Sequence, residues 1–427
     1  MIKKISNLFK SDFGKNILTL GSGTVIAQIV PFLFYPIIAR IFTPVDMGFL
    51  ATITAIFAPI AIVASGKYEL GILVAKTKKD AAHLAVLALV LSFCISIFIY
   101  IVLQLFFLDL LSEKLHEPNL TKWLFICPVA AFSVSIFTIY NEWCVKNGYF
   151  KRLSTNKITN STAIVFGKLF LGVVKIFSQG LVIGDLIGRV FSAGACIFKA
   201  LQKDFHSFKD ISFVRMKQLA KEFIEFPKFI LPARLLQELG KQMPIFFIGF
   251  YFSSTEVGYF SMAILVLYSP VSMISSAIRD VFRQRANEYY QKSGSCRSFY
   301  LKNLKTLSIV AVLGSVVLIF CLPFIFSIFV GSQWDTAAYY AQILTIPTFL
   351  SFVSVPLFDV IIITNKLKYN FLWHLFYVIL SCIGLWLGFT LYHNVAVAII
   401  FLAIGTSVAH LLSIGLSFRF SKGIKKQ

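Results

Sequence analysis

Lys168 and Lys175 sit seven residues apart in an otherwise apolar run. At about 3.6 residues per turn this spacing puts both on one helical face, about 10 Å apart along the axis. Neither has an acidic residue within its own run. In the next run Asp185 and Arg189 stand at i, i+4, where they can pair with each other. Arg234, Glu238 and Lys241 share one face of a later run, and Asp359 follows Pro356 by three residues. Arg40, Arg279 and the Lys67/Glu69 pair stand near the ends of other runs. The chemistry these groups offer is electrostatic: ammonium and guanidinium groups to receive an anion, carboxylates to hold a cation or proton.

Nothing in the chain adds bond-making chemistry to this. There is no G-x-x-x-x-G-K-[ST] phosphate loop, nucleophile elbow, zinc signature or paired-carboxylate motif. The seven cysteines are scattered with no C-x-x-C, so no disulfide framework, metal or cofactor is expected. None of the six histidines holds a convincing central position. A non-enzyme is expected.

The elements that must position these charges are membrane helices. The chain is 58% hydrophobic and 14% charged, with a mean hydropathy of +0.81, where a soluble chain is about a quarter charged. Apolar runs of 18 or more residues recur throughout and predict an all-α membrane protein, with a signal too strong for a β-barrel. Twelve spans are expected, at 17–38, 48–66, 81–108, 123–140, 159–178, 180–200, 230–252, 257–278, 304–330, 338–364, 369–392 and 395–417. A charge in such a span costs roughly 2.5–3.5 kcal/mol on insertion scales, so it faces a wet cavity or a partner.

The net charge of +21 would suggest nucleic acid in a soluble protein. Here the positive-inside rule explains it, and no nucleic-acid partner is expected. The N-terminal tail, the even-numbered connections and the C-terminal tail hold 32 of the Lys and Arg residues, and the opposite side holds Arg40, Lys114 and Lys122. Both termini are therefore expected to be cytoplasmic. Residues 1–13 place Ile2, Ile5, Leu8, Phe9 and Phe13 near one helical face, which fits a surface helix; a frayed basic tail is the alternative. Outer loops are short, which speaks against polymerases, ligases and glycosyltransferases. Trp123, Trp143 and Trp334 are expected at the membrane interfaces.

Two connections share one frame. Phe42-Thr-Pro-Val-Asp-Met-Gly-Phe49 and Phe252-Ser-Ser-Thr-Glu-Val-Gly-Tyr259 follow spans 1 and 7, and Pro59 and Pro270 recur at mid-span beyond them. A shift of six spans preserves orientation, so two parallel repeats are expected: a segment 1–16, an N-lobe 17–200, a cytoplasmic connection 201–229, a C-lobe 230–417 and a tail 418–427. A chance match of two Gly-containing turns is the alternative. Spans 1 and 7 are also rich in Gly and Pro, fitting bent gating helices or the ordinary composition of membrane helices.

Inside the spans Lys168, Lys175, Arg189, Arg234 and Lys241 face Asp185, Glu238 and Asp359. A net-positive wet cavity between lobes suits an anionic ligand. Lys168 lies near mid-span, whereas Lys175 is close enough to the outer end for snorkelling to be an alternative. For Asp185 and Arg189 a structural ion pair stands beside a ligand role. Glu69, Asp185, Glu238 and Asp359 are candidates for a coupling ion or gate.

The segments "ARIFTPVDMGFLA" (39–51), "KYELGILVAKTKKDA" (67–81) and "TEVGYFSMAILVLYSPVSMISSAIRDVFRQRA" (255–286) resemble the Wzx-type polysaccharide-unit flippases. These belong to the multidrug/oligosaccharidyl-lipid/polysaccharide (MOP) superfamily. The resemblance implies two six-helix bundles that open alternately to either side of the bacterial inner membrane. The implied cargo is an undecaprenyl-pyrophosphate-linked oligosaccharide for O-antigen, capsule or a related polymer, and the implied partners are membrane lipids and the polymerase and chain-length proteins of the same pathway. By motif position Arg40 and Lys67 would carry over as cavity cations. The family often has Arg at the second position, and Lys cannot grip phosphate bidentately. A cation-coupled MATE-like exporter of small molecules is the alternative, and organic-cation exporters should carry a net-acidic cavity. The short outer loops speak against a polymer-assembly enzyme, and a peptidoglycan-precursor flippase is a close relative of the first reading, though such proteins commonly carry more than the twelve spans expected here.

Overall fold

The computed structural model describes residues 12–107, 123–174, 179–364 and 366–423. The basic segment before Asp12, residues 108–122 with Lys114 and Lys122, and Lys175 lie outside the described residues. Among the described residues every regular element is helical. Twelve helices exceed 20 residues: α1 (Asp12–Ile41), α2 (Pro44–Ala64), α3 (Lys78–Val102), α4 (Ile126–Lys146), α5 (Phe150–Val174), α6 (Gly180–Asp204), α7 (Leu231–Tyr251), α8 (Ser254–Ser293), α9 (Arg297–Ile325), α10 (Asp335–Phe358), α11 (Leu367–Tyr392) and α12 (Val395–Ser421). Each overlaps one expected span. Ten are long and apolar enough to cross a membrane. The other two are α4, which carries Asn141, Glu142 and Lys146 near its end, and α7, which carries Arg234, Glu238 and Lys241. The chain is a multi-pass, all-helical membrane protein.

Several helices overrun their apolar runs on the Lys/Arg-rich side. At about 1.5 Å per residue, the 40 residues of α8 extend about 60 Å, twice the roughly 30 Å of a bilayer's hydrocarbon core. The apolar run ends near residue 278, but the Arg-, Gln- and Glu-rich stretch beyond it has good helix propensity. The helix stops at Gly294, whose left-handed φ of 69° forms the C-cap.

The duplicated connection is helix-start chemistry. The Thr43 hydroxyl accepts from the Asp46 backbone N–H at 3.3 Å, and the Asp46 carboxylate accepts from the Thr43 N–H at 2.9 Å. This is a reciprocal capping box at the start of α2. Ser253 caps α8 with its hydroxyl, accepting from the Glu256 N–H at 3.3 Å, while the Glu256 carboxylate accepts from the Tyr340 hydroxyl at 2.6 Å. The glycine of each frame answers a close approach. A Cβ on Gly48 would strike the Ser254 carbonyl oxygen, and one on Gly258 would strike that of Pro44. The two helix starts thus meet backbone to backbone.

The chain forms two compact units. The first holds the described residues up to Phe42 and Phe49–Glu238; the second holds Thr43–Gly48 and the residues from Leu239 on. The first unit's core gathers Tyr68, Leu84, Tyr140 and Trp143 with Phe208 against it. The second unit's core gathers Phe282, Tyr300, Phe352 and Leu357. The expectation of interfacial tryptophans fails for two of the three. Trp143 is fully buried, packed on Phe208 at 4.8 Å between ring centroids, and Trp334 is fully buried with Tyr259 edge-on to it. Trp143 lies near the end of α4, where the short turn carrying Phe208 packs on its indole, and Trp334 lies just before α10.

Within the first unit, the helix Phe213–Glu222 of the basic connection is tied down at three points. Arg215 Nε donates to Asp80 Oδ1 at 2.8 Å, the Ser212 N–H donates to His83 Nε2 at 3.1 Å, and the Tyr68 hydroxyl donates to the Ala220 carbonyl at 3.0 Å. Burial pushes the Tyr68 phenol above its ordinary pKa.

Candidate functional site

Glycine sets the first charged cluster. A Cβ on Gly167 would meet the Gly184 backbone, one on Gly184 would meet Gly167, and one on Gly188 would meet Ile164. Gly184 and Gly188 form a small-xxx-small face that lets α5 and α6 touch along their backbones. That approach brings Lys168 of α5 against Asp185 of α6, Nζ to Oδ1 at 2.9 Å. Arg189 Nε reaches the other oxygen, Oδ2, at 2.5 Å and stacks over the Phe57 ring. Lys168 is 6% exposed and Asp185 4%. The i, i+4 pair forms as its spacing allows. Lys168 is not the partnerless cation that its own helix suggests, because its carboxylate comes from the next helix. The cluster keeps a net charge of +1.

A second cluster lies in the same unit. Gly66 and Lys67 both take left-handed φ values, 58° and 62°, and the turn they make folds the Lys67 ammonium onto Glu69 at 3.1 Å. Glu69 is 2% exposed, and its other oxygen, Oε2, has no hydrogen-bond partner among the described residues. Glu142 of α4 interacts electrostatically with Glu69, Lys67 and Lys157. Lys157 donates to the Thr24 hydroxyl at 3.0 Å. Close by in sequence, Asn156 donates to Asn141 at 3.1 Å and accepts from Lys199 at 2.8 Å. The sequence reading used Lys157 and Lys199 only to orient the chain and passed over Glu142 and Asn156. The available signal was polar residues recurring in the last turns of α4 and the first turns of α5.

The remaining candidates are more dispersed. Arg40 at the end of α1 is exposed. On α7, Arg234 and Lys241 are exposed and Glu238 is half-buried, and Arg234 donates to Gln237 at 3.1 Å. In the second unit Asp359 is buried and accepts from Arg283 Nε at 2.6 Å, an arginine outside the expected set. Arg279, one helical turn before it, has a buried Nε with no hydrogen-bond partner among the described residues. The structure thus joins Lys168, Asp185 and Arg189 in one cluster and Lys67 and Glu69 in another. Among the described residues no group of three His, Cys, Asp or Glu side chains is placed to hold a metal ion.

The sequence profile of a family described as "Polysaccharide biosynthesis protein" matches residues 37–339. The chain belongs to this polysaccharide biosynthesis protein family. The match spans both charged clusters and both copies of the duplicated connection. No curated protein matches the chain in sequence. Solved structures show the fold. An inward closed conformation of the lipid II flippase MurJ is similar with a TM-score of 0.76 at 15% identity, over 94% of this chain and 87% of that one. An inward-facing multidrug resistance MATE transporter of the MOP superfamily is similar at 0.61 and 14% identity, over 95% and 94%. A MOP superfamily transporter from Pyrococcus furiosus Vc1, described by the reverse polarity of its binding pocket, is similar at 0.60 and 14%, over 95% and 96%. This polysaccharide biosynthesis family member therefore has the all-helical MOP transporter fold.

Proposed function

We propose that the protein is a flippase that moves an undecaprenyl-pyrophosphate-linked oligosaccharide repeat unit across the bacterial inner membrane by alternating access. The observation that carries this reading is the family match over residues 37–339, in a chain whose helices cross a membrane many times. A polyanionic, sugar-bearing headgroup cannot cross hydrocarbon unaided, while its lipid tail can stay in the bilayer. The protein has to supply a hydrated, positive path. The lipid II flippase among the similar folds moves a lipid-linked cargo, as its name states.

In this reading Arg40, Lys67, Lys168, Arg189, Arg234, Lys241 and Arg279, with Lys175, give the path its positive potential. Glu69, Glu238 and Asp359 are the groups through which a coupling cation or proton would act, and Asp185 sets the geometry of Lys168 and Arg189. The lobes are 17–200 and 230–417, and both termini are cytoplasmic, as the Lys and Arg distribution favours. A polymerase and chain-length proteins would take the cargo onward.

The second reading, a cation-coupled exporter of small molecules, draws on the likeness to multidrug MATE transporters. The charge balance of the spans disfavours it for organic cations. Deleting the gene in its host and assaying surface polysaccharide together with lipid-linked intermediates separates the two. Loss of surface glycan with sugar-loaded carrier accumulating, restored by the wild-type gene, is the expected result. Normal glycan with altered drug tolerance would overturn it.

A further inference from the structure

A cleft of about 500 Å³ opens where the α4–α5 turn meets the last turns of α6. Its volume lies in the range of small-ligand sites, about 300–1,000 Å³. Four cations line it: Lys151 and Arg152 from the first turn of α5, and Lys199 and Lys203 from α6. Thr155 adds a hydroxyl. The N-terminus of α5 faces the same space, so its opening N–H groups add positive potential. None of these residues is among those assigned to the transport path, and Lys199 alone touches the clusters described above, through its bond to Asn156.

Two of the cations are fixed and two are available. Arg152 is held by Asp204 at 3.1 Å and by the face of the Tyr149 ring at 4.2 Å, and Asp204 is itself oriented by the Tyr140 hydroxyl at 3.3 Å. Lys199 is held by Asn156 at 2.8 Å. Lys151 and Lys203 are exposed, and neither ammonium has an ion-pair or hydrogen-bond partner among the described residues. Among the described residues the cleft lining holds no carboxylate, and of its four cations Arg152 alone is paired with one, Asp204. Such an arrangement gains from a multivalent anion, and charge-assisted bonds to phosphate oxygens are its strongest match. The flank of α6 beside it and the residue that follows the helix are apolar and open: Phe198 is 64% exposed, Leu201 59% and Phe205 52%. Cations interleaved with exposed apolar side chains at a helix end are what a phosphate headgroup attached to an acyl chain would meet.

We propose that this cleft is a phosphate-anion site, separate from the transport path, that takes the phosphate headgroup of a membrane lipid. The proposal does not depend on which cargo the protein moves. A free phosphate ester offers the same chemistry without the apolar flank.

The test compares the full-length protein with Lys151→Ala/Lys203→Ala, two exposed positions whose truncation leaves the cores intact. Lys302→Ala/Lys305→Ala on α9 controls for bulk charge. Native mass spectrometry after extraction from phosphatidylglycerol/phosphatidylcholine nanodiscs reads retained lipid, and isothermal titration with inorganic pyrophosphate reads free anion. Each lysine contact is worth about tenfold in affinity. Retained phosphatidylglycerol is expected to fall at least tenfold in the cleft variant, to persist in the control, and to return in Lys151→Arg/Lys203→Arg. Pyrophosphate binding lost in the same variant, without a change in lipid, would keep the phosphate site and reassign its source to a soluble ester. Equal lipid retention and equal pyrophosphate binding in all the proteins would overturn the proposal.

Discussion

Replacing Asp185 with Asn keeps the side chain's shape and removes the carboxylate that Lys168 and Arg189 share at 2.9 and 2.5 Å. Lys168 is 6% exposed, so its ammonium would be left buried without a counter-charge. Breaking a buried pair in this way costs about 3–5 kcal/mol. Lys168→Met acts differently, because Asp185 keeps Arg189. The lost charge-assisted bond is worth about 1.5–3 kcal/mol, and the removed desolvation of a buried ammonium offsets much of it. The net cost is then about 0–2 kcal/mol. The double variant leaves only Arg189 unpaired, and that side chain is 22% exposed, so it should recover part of the loss. The expected order of thermal stability is parent, Lys168→Met, double variant, Asp185→Asn. It is read from the monodisperse peak remaining after graded heating of detergent-purified protein. Asp185→Asn melting with the parent, or Lys168→Met falling as far as Asp185→Asn, would refute the shared-carboxylate argument. A Lys168→Met protein of near-parental stability then allows the transport assay to ask about charge alone.

Gly184→Leu should abolish or sharply lower the yield of folded protein, since even a Cβ there would meet the backbone of Gly167 and Lys168; Leu at Gly194, where a Cβ meets nothing within 4 Å, is the matched control. Thr43→Ala and Ser253→Ala each remove a helix cap and should lower stability by about 0.5–2 kcal/mol, visible as a fall in melting temperature, whereas Thr43→Ser, which keeps the capping hydroxyl, should keep most of it. Gly48→Val and Gly258→Val should each impair folding or transport more than either cap variant, because the collision is with a carbonyl rather than with a movable side chain; surface glycan at matched expression checks this. Asp204→Asn releases Arg152 and the Tyr140 hydroxyl together, and should lower the melting temperature more than Tyr140→Phe does.

Hydropathy made the helices legible, because ten of the twelve are long and apolar enough to cross a membrane and the other two carry shorter apolar runs. It could not find where α8 ends: residues 279–293 are helical by propensity and carry no hydropathy signal. The duplicated frame was legible as a recurring motif, but the contact it makes needed coordinates. Its hydroxyl and acid three residues apart are a capping box, a pattern visible in any sequence, and its glycine marks a contact with the other copy. The partner of Lys168 was hidden for a related reason. Which faces of α5 and α6 meet is decided by Gly167, Gly184 and Gly188, and the small-xxx-small spacing was the clue. Trp143 and Trp334 misled because position near a helix end does not say whether a side chain turns outward to lipid or inward to a core.

The same contacts change how the intramembrane charge should be counted. Summed along the sequence, acids and bases look like independent occupants of a cavity. In the structure Asp185 is held by Lys168 and Arg189, Glu69 by Lys67, and Asp359 by Arg283. A coupling cation at Glu69 or Asp359 would therefore have to compete with a tethered ammonium or guanidinium, and a proton would release that cation rather than fill an empty carboxylate. Neutralising Asp359, for example, would free Arg283 one turn from Arg279, concentrating positive charge there and raising the affinity for an anion. Asp359→Asn should therefore tighten binding of a pyrophosphate-bearing ligand to the purified protein. Unchanged binding in Asp359→Asn would show that the pair with Arg283 is structural and that coupling, where it exists, runs through another carboxylate.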